Sequence, residues 1–242
     1  MRLLAATDVH SATDTFSRIL ADAGPVDLVL LGGDLTNFGS PKDAEAVVRL
    51  AQEKKGDRHR LPVGPSGAAH KRSQSPFFAG VLAVAGNCDS AAIDAHLAEL
   101  GVSLLRRGVV IGNVGLVGLS AMPPWQRTMY HFSEEELAEI LEAGHRQVAE
   151  TERLVVLSHA PPYGTRVDRT LFGRHVGSTA LRTFVERARP ELVVCGHIHE
   201  ARGVDRLGRT TLVNCGPAAK GYYAVIDLPD DSSGPRVELR SV

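Results

Sequence analysis

Five short stretches of this chain carry side chains able to hold metal ions. They are Asp8-Val9-His10, Gly32-Gly33-Asp34, Gly86-Asn87-Cys88-Asp89, Ser158-His159-Ala160-Pro161-Pro162 and Gly196-His197-Ile198-His199. Asp8, His10, Asp34, Asn87, His159, His197 and His199 combine carboxylate, imidazole and amide oxygen. Such a mixed nitrogen and oxygen set suits first-row divalent cations. Seven ligands are too many for one ion and right for two that share a carboxylate. Cys88 stands where an eighth partner is expected. Two cations about 3.5–4 Å apart can polarise bound oxygens and acidify a shared water. That chemistry requires no protein nucleophile.

Each stretch taken alone has an ordinary explanation. Asp8 can cap a turn, and Asp34 can bond local backbone after two glycines. Asn87 suits a left-handed turn, and His159 or a His-x-His pair can be plain loop residues. Position changes the weighing, because every stretch follows a short apolar run. In a strand, alternate side chains share a face, so Asp8 and His10, like His197 and His199, are expected to point into one cleft. Open α/β sheets bind ligands just past the carboxyl ends of their strands.

The elements that must position these residues alternate through the first half. Leu3–Ala6, Leu28–Leu31 and Val81–Ala85 read as buried strands, with helices at Thr13–Ala23, Pro41–Gln52 and Ala91–Leu100. That order argues for a largely parallel sheet. Val109–Ile111 and Val114–Leu119 flank a hairpin-like Gly112-Asn113 pair. Ser133 and Glu136 form a capping box for a helix through Gly144, with room to run on to Glu150. Strands follow at Leu154–Leu157 and Leu192–Cys195, with a helix over Ser178–Ala188 capped by Ser178. Strand-like runs at Thr210–Val213, Tyr222–Leu228 and Val237–Leu239 predict an antiparallel tail. The expected fold is α/β, with two sheets face to face and helices outside.

At 242 residues, one domain over 1–242 is expected. Net charge is −1, which gives no global attraction to nucleic acid or to a membrane surface. Three cysteines make no disulfide framework, and no apolar run approaches the ~20 residues that span a bilayer. The chain opens almost directly on a strand-like run, so a cytoplasmic location is the default. Residues 53–79 fit no element, carry a basic bias and read as a mobile surface insertion. The alternative for them is a lid whose Arg58, His59, Arg60, Lys71 or Arg72 reaches an anionic substrate.

The five stretches, in this order, resemble the motifs D-x-H, G-D, G-N-H-[D/E], H and G-H-x-H of the calcineurin-like metallophosphoesterase superfamily. The resemblance spans residues 8–199, and Asn214-Cys215-Gly216-Pro217 is similar to the family's N-P-G-S turn. It implies a four-layer αββα sandwich with two mixed sheets and a binuclear centre. By family role, Asp8, His10 and His199 hold one metal, Asn87, His159 and His197 hold the second, and Asp34 bridges them. Manganese is the first choice of cation, with nickel, iron, zinc or magnesium as alternatives. The sequence departs from the pattern at Cys88, where the family has His, the residue beside the leaving group. Asp89, which helps orient that His in the family, is kept. Cys88 is similar to the residue found there in some small prokaryotic members.

A thiol is a weak donor beside an imidazolium, so aryl esters and diesters are expected over alkyl monoesters. His10, Cys88 and Asp89 are the residues expected nearest the chemistry. Arg166, Arg169, Arg174, His175 and Arg202 lie in loops flanking His159 and His199, where guanidinium forks match phosphate oxygens. The expected substrate is a small phosphate ester, with nucleotide derivatives in range, turned over by a monomer or small homo-oligomer. Trp125 can stack on a base, though packing under a loop is the commoner role. Two other readings compete. One is an interaction scaffold, as the retromer's metallophosphoesterase-like subunit shows for this fold, although a scaffold has no need of a complete ligand set. The other is a nuclease, which needs a basic track for its strand.

Overall fold

The computed structural model describes residues 1–53, 80–126, 128–231 and 233–242. The insertion expected at 53–79 therefore lies, from residue 54 onward, outside the described residues. Glu53 is the last residue of a helix.

Eleven strands and five α-helices are described. In chain order they are β1 (Arg2–Ala6), α1 (Thr13–Asp22), β2 (Leu28–Gly32), α2 (Pro41–Glu53), β3 (Val81–Val84) and α3 (Ala91–Glu99). Next come β4 (Gly108–Ile111), β5 (Val114–Leu119), α4 (Glu134–His145), β6 (Arg153–Ser158), α5 (Thr179–Ala188) and β7 (Leu192–Cys195). The tail holds β8 (Gly203–Leu207), β9 (Thr210–Asn214), β10 (Tyr222–Asp227) and β11 (Arg236–Ser241).

The first sheet has the order β11-β10-β1-β2-β3, and the second β4-β5-β6-β7-β9-β8. Strand periodicity sorts the core into three layers. On β1, Leu3 and Ala5 face inward to Val155, Leu157 and Val194 of the second sheet. Leu4 and Ala6 face outward to Phe16, Ile19, Val47, Val48, Ile93 and Leu97 of α1–α3. On the second sheet, Val117, Val156 and Val193 face outward to Leu137, Ile140, Leu181 and Phe184 of α4 and α5. Both faces of each sheet are covered, which explains the continuous apolar runs. The layers are helices, sheet, sheet, helices, as the resemblance implies.

Capping set several boundaries as expected. The Ser133 hydroxyl accepts from Glu136 N while the Glu136 carboxylate accepts from Ser133 N, and Ser178 accepts from Leu181 N. Helix α4 stops at His145 and does not run on to Glu150. The tail is not simply antiparallel. Strand β9 runs parallel to β7, and β10 crosses back to pair antiparallel with β1 in the first sheet. No described helix is long and apolar enough to cross a membrane.

Candidate metal centre

All seven proposed ligands lie in loops that leave the carboxyl ends of β1, β2, β3, β6 and β7. They do not meet by strand alternation. Asp8, His10, Asp34 and His197 have φ of 56°, 48°, 48° and 66°. That left-handed region is uncommon for side-chain-bearing residues and persists only where surroundings enforce it. The enforcement is visible. Asp8 N donates to Gly33 O at 2.9 Å, His10 N to Asp34 O at 2.9 Å and Ser11 N to Leu35 O at 3.0 Å. The β1 and β2 loops thus hold each other in register beyond their strands.

Close approach also explains two glycines. A Cβ at Gly86 would collide with Asp34, and one at Gly196 with the Asp8 carboxylate. The glycine before each ligand lets the backbone pass a carboxylate that is itself a ligand candidate.

The ligands gather around Asp34. His159 Nε2 lies 3.6 Å from one carboxylate oxygen of Asp34, and His10 Nε2 lies 3.9 Å from the other. His159 Nε2 is 2.8 Å from the Asn87 amide oxygen, and His199 Nε2 is 3.3 Å from Asp8 Oδ1. Three sets have donor atoms all within 4.8 Å of one another: Asp8, His10 and His199; His10, Asp34 and Cys88; and Asp8, Asp34 and His159. Cys88, which stands where an eighth partner is expected, is drawn into one of them. Its backbone N donates to Asp34 Oδ1 at 2.7 Å, and its Sγ is 3.3 Å from Asn87 Nδ2.

A cation fits this arrangement. His197 Nε2 and His10 Nδ1 are buried without a protein partner, which is costly for a polar atom unless something binds there. Burial pushes the His197 imidazole down to about 3, and the neighbouring His159 adds to the shift, so this ring is neutral and able to ligate. Burial pushes Asp34 up, His159 opposes that, and the charges of Asp8 and Asp89 add to it. A positive ion relieves crowding of this kind. For Asp8 burial again pushes up, but the His199 hydrogen bond and the charges of His159 and His199 outweigh it and hold the carboxyl below its usual range.

Asp89 has a different occupation from the expected one beside the chemistry. Its buried carboxylate accepts from Leu35 N, Thr36 N, Thr36 Oγ1 and Gly86 N at 2.8–3.0 Å. It joins the β2 and β3 loops and so positions Asp34 and Asn87. On the other sheet, Asn214 plays the matching part. Its Nδ2 donates to Val167 O, Gly196 O and Ile198 O, and its Oδ1 accepts from Gly216 N. The turn that follows also reaches the site, since Ala218 N donates to Thr7 O and Ala219 N to Asp8 O. The substitutions at Cys215 and Pro217 leave these bonds in place.

The structure brings together only some of the expected phosphate-binding residues. Arg166, Arg169 and Arg202 line a pocket of about 250 Å³ with Thr170, Leu171 and Glu200. The Arg202 guanidinium is engaged by Cys215 O and Arg240 O and lies over the Tyr222 ring at 4.5 Å. His175 Nδ1 is bound to Asp168 at 2.7 Å, and the Arg174 backbone closes a turn with Thr170. Asp168, unnoticed in the sequence, is fully buried and also accepts from the backbone N of Gly164, Thr165 and Gly177. An Asp inside a loop bounded by Gly164 and Gly177 was the available signal. Trp125 is not packed under a loop: it is 51 % exposed, with its ring 5.6 Å from that of His197.

Comparison with known proteins agrees with this architecture. The calcineurin-like phosphoesterase family pattern matches residues 1–201. Uncharacterized protein MJ1162 of Methanocaldococcus jannaschii is 29 % identical over 229 residues, covering 92 % of this chain and 90 % of that protein. TT1561 of Thermus thermophilus superposes with a TM-score of 0.70 at 16 % identity, over 99 % of this chain and 98 % of that one. A structure described as a novel archaeal phosphodiesterase gives 0.50 at 12 % identity, over 99 % and 100 %. At such identities these structures speak for the fold alone. The family match covers the strand-end loops that carry all seven proposed ligands, and the chain belongs to the calcineurin-like phosphoesterase family.

Proposed function

We propose that this chain is a metal-dependent phosphodiesterase with two divalent cations. Asp8, His10 and His199 would hold one, Asn87, His159 and His197 the other, with Asp34 between them. The observation that carries the reading is Asp34, one of whose oxygens faces His159 and the other His10. When bound, the cations supply Lewis acidity toward phosphoryl oxygens and acidify water for attack on phosphorus.

The chain's own residues do the rest. His159 is fixed by its Nδ1 contact to Gly32 O at 3.0 Å, which directs Nε2 at Asn87 and Asp34. Orientation of a ligand through its second ring nitrogen is what makes such a site rigid. Cys88 occupies the place beside the cluster with a neutral thiol, a weak proton donor. Asp89 is fully engaged by loop donors and is not free to assist it. An alkoxide leaving group needs a proton, whereas an aryl oxide needs far less help. Diesters and aryl esters are therefore the favoured substrates, with small nucleotide-derived esters in range.

Manganese is the first cation to try, with nickel, iron, zinc and magnesium as alternatives. Three buried free cysteines suit a reducing compartment such as the cytoplasm. The test is to strip the protein, restore each metal separately and compare aryl diesters with alkyl monoesters. Metal-dependent turnover of the diester is expected. Full activity without metal, or a preference for alkyl monoesters, overturns the reading.

A further inference from the structure

Trp125 is the only tryptophan in the chain and half of it faces solvent. Among the described residues, this indole beside a buried polar cluster keeps a large apolar face exposed. Its ring lies 5.6 Å from His197, which lies 4.9 Å from His159. The indole therefore borders the ligands assigned to the second cation. His197 Nε2 is itself buried and unpartnered at this place.

The loop that carries Trp125 is held at both ends. Ala121 N donates to Ala85 O, and Phe132 N to Met122 O. Tyr130 N donates to Asn87 O, and Met129 Sδ lies 3.2 Å from Asn87 Nδ2. Below, Ser120 and Tyr130 donate to the two oxygens of buried Asp94 at 2.9 Å. The loop is thus tied to a proposed ligand through Tyr130 and Met129. A second ring, Phe38, is 64 % exposed on a backbone whose N donates to Cys88 O at 3.0 Å. Two uncovered aromatic side chains are thus carried by segments that bond to Asn87 and Cys88.

We propose that Trp125 is a specificity residue: it stacks on a flat aromatic ring carried by the phosphate ester, a nucleobase or an aryl group. This rests on the phosphoesterase reading for the placement of the phosphate, but stacking is measurable without turnover. Ring stacking of this kind is worth about 5- to 150-fold in affinity.

Since Trp125 is the sole indole, intrinsic fluorescence of the whole chain excited at the red edge of indole absorption reports on this ring alone. Protein supplied with Mn²⁺ is titrated with AMP, phenyl phosphate and ribose 5-phosphate. Quenching by the two ring-bearing phosphates, well beyond that by ribose 5-phosphate, is expected. AMP against phenyl phosphate separates nucleobase from aryl recognition. For Trp125→Ala, calorimetry should show AMP affinity falling about tenfold relative to ribose 5-phosphate, with Trp125→Phe recovering most of it. The ratio of kcat/KM for a phenyl diester over its methyl counterpart should fall with it. Equal quenching by all three phosphates, or an unchanged ratio in Trp125→Ala, overturns the proposal. If no ester is turned over while ring-selective quenching persists, the phosphoesterase reading fails and the stacking role stands.

Discussion

The two sheets supply the site unequally. Loops leaving the first sheet bring both carboxylates, the amide and one imidazole, at Asp8, Asp34, Asn87 and His10. Loops leaving the second bring imidazoles alone, at His159, His197 and His199. Their supports are also of opposite kind. The first-sheet loops present backbone N–H groups to the Asp89 carboxylate, whereas the second-sheet loops present carbonyls to the Asn214 amide. A loop carrying anionic ligands is steadied by an acceptor that takes up its N–H groups. A loop carrying neutral imidazoles is steadied by a donor. Each half thus has one buried side chain that ties its backbone in place around the proposed ligands.

The sharpest break of this comparison is at the residue shared by both halves. Asp34→Asn should lose one or both metals by elemental analysis and reduce turnover by about a thousandfold or more, the scale for removing a metal-centred step. Full occupancy with normal turnover would sink the bridging assignment. Next come the two supports. Asp89→Ala leaves three backbone N–H groups and a hydroxyl without their acceptor, and should cost about 3–5 kcal/mol in urea unfolding. Asn214→Ala breaks neutral bonds and should cost about 2–3 kcal/mol. Equal losses would mean that the charge on Asp89 contributes nothing special.

Asp94 extends the comparison to pH. Burial pushes its carboxyl up to about 6, against the hydrogen bonds from Tyr130 and Ser120. A pKa raised by folding means the folded state binds the proton more tightly. Stability from this group is then fully present below the unfolded value near ~3.9 and is lost as pH rises through about 6. The swing is on the order of 2–3 kcal/mol. Asp94→Asn should flatten the stability profile between those limits, and an unchanged profile would show that another group titrates there.

The smallest effects are expected at Cys88. Cys88→His introduces an imidazole donor and should raise alkyl monoesterase activity by about tenfold or more, less on aryl diesters. Cys88→Ala should cost little on aryl diesters. If Cys88→Ala abolishes their turnover with metal content intact, the thiol has a direct role and the diester argument fails.

Much of the site was legible in the sequence because ligand chemistry is carried by few residue types, here placed after unmistakable apolar strands. The manner of convergence was not legible. Alternation along a strand predicts shared faces for Asp8 and His10, but left-handed turns do the work, and those are set by bonds between loops about 25 residues apart, such as His10 to Asp34. Asp89 looked like a residue of the chemistry because its neighbour does in the family, yet a carboxylate surrounded by four donors has no further capacity. Strand β8 was missed because Gly203, Asp205 and Arg206 break its apolar signal, leaving alternate residues half-buried at a sheet edge. Arg202 drew attention by charge, and charge alone says nothing about the carbonyls of Cys215 and Arg240 that already hold its guanidinium.

The return of β10 to the first sheet has a consequence for biosynthesis. Strand β1 is synthesised more than 200 residues before one of its two neighbours, which it meets through pairs such as Leu3 with Ile226. Until then β1 presents a bare hydrogen-bonding edge flanked by apolar side chains, the sort of surface that recruits wrong partners. The carbonyls of Thr7 and Asp8 wait equally long for Ala218 and Ala219. The nascent chain therefore completes the loop that carries Asp8 only after residue 219 has been made, and pulse-chase proteolysis of chains stalled before residue 218 should find that loop open to cleavage.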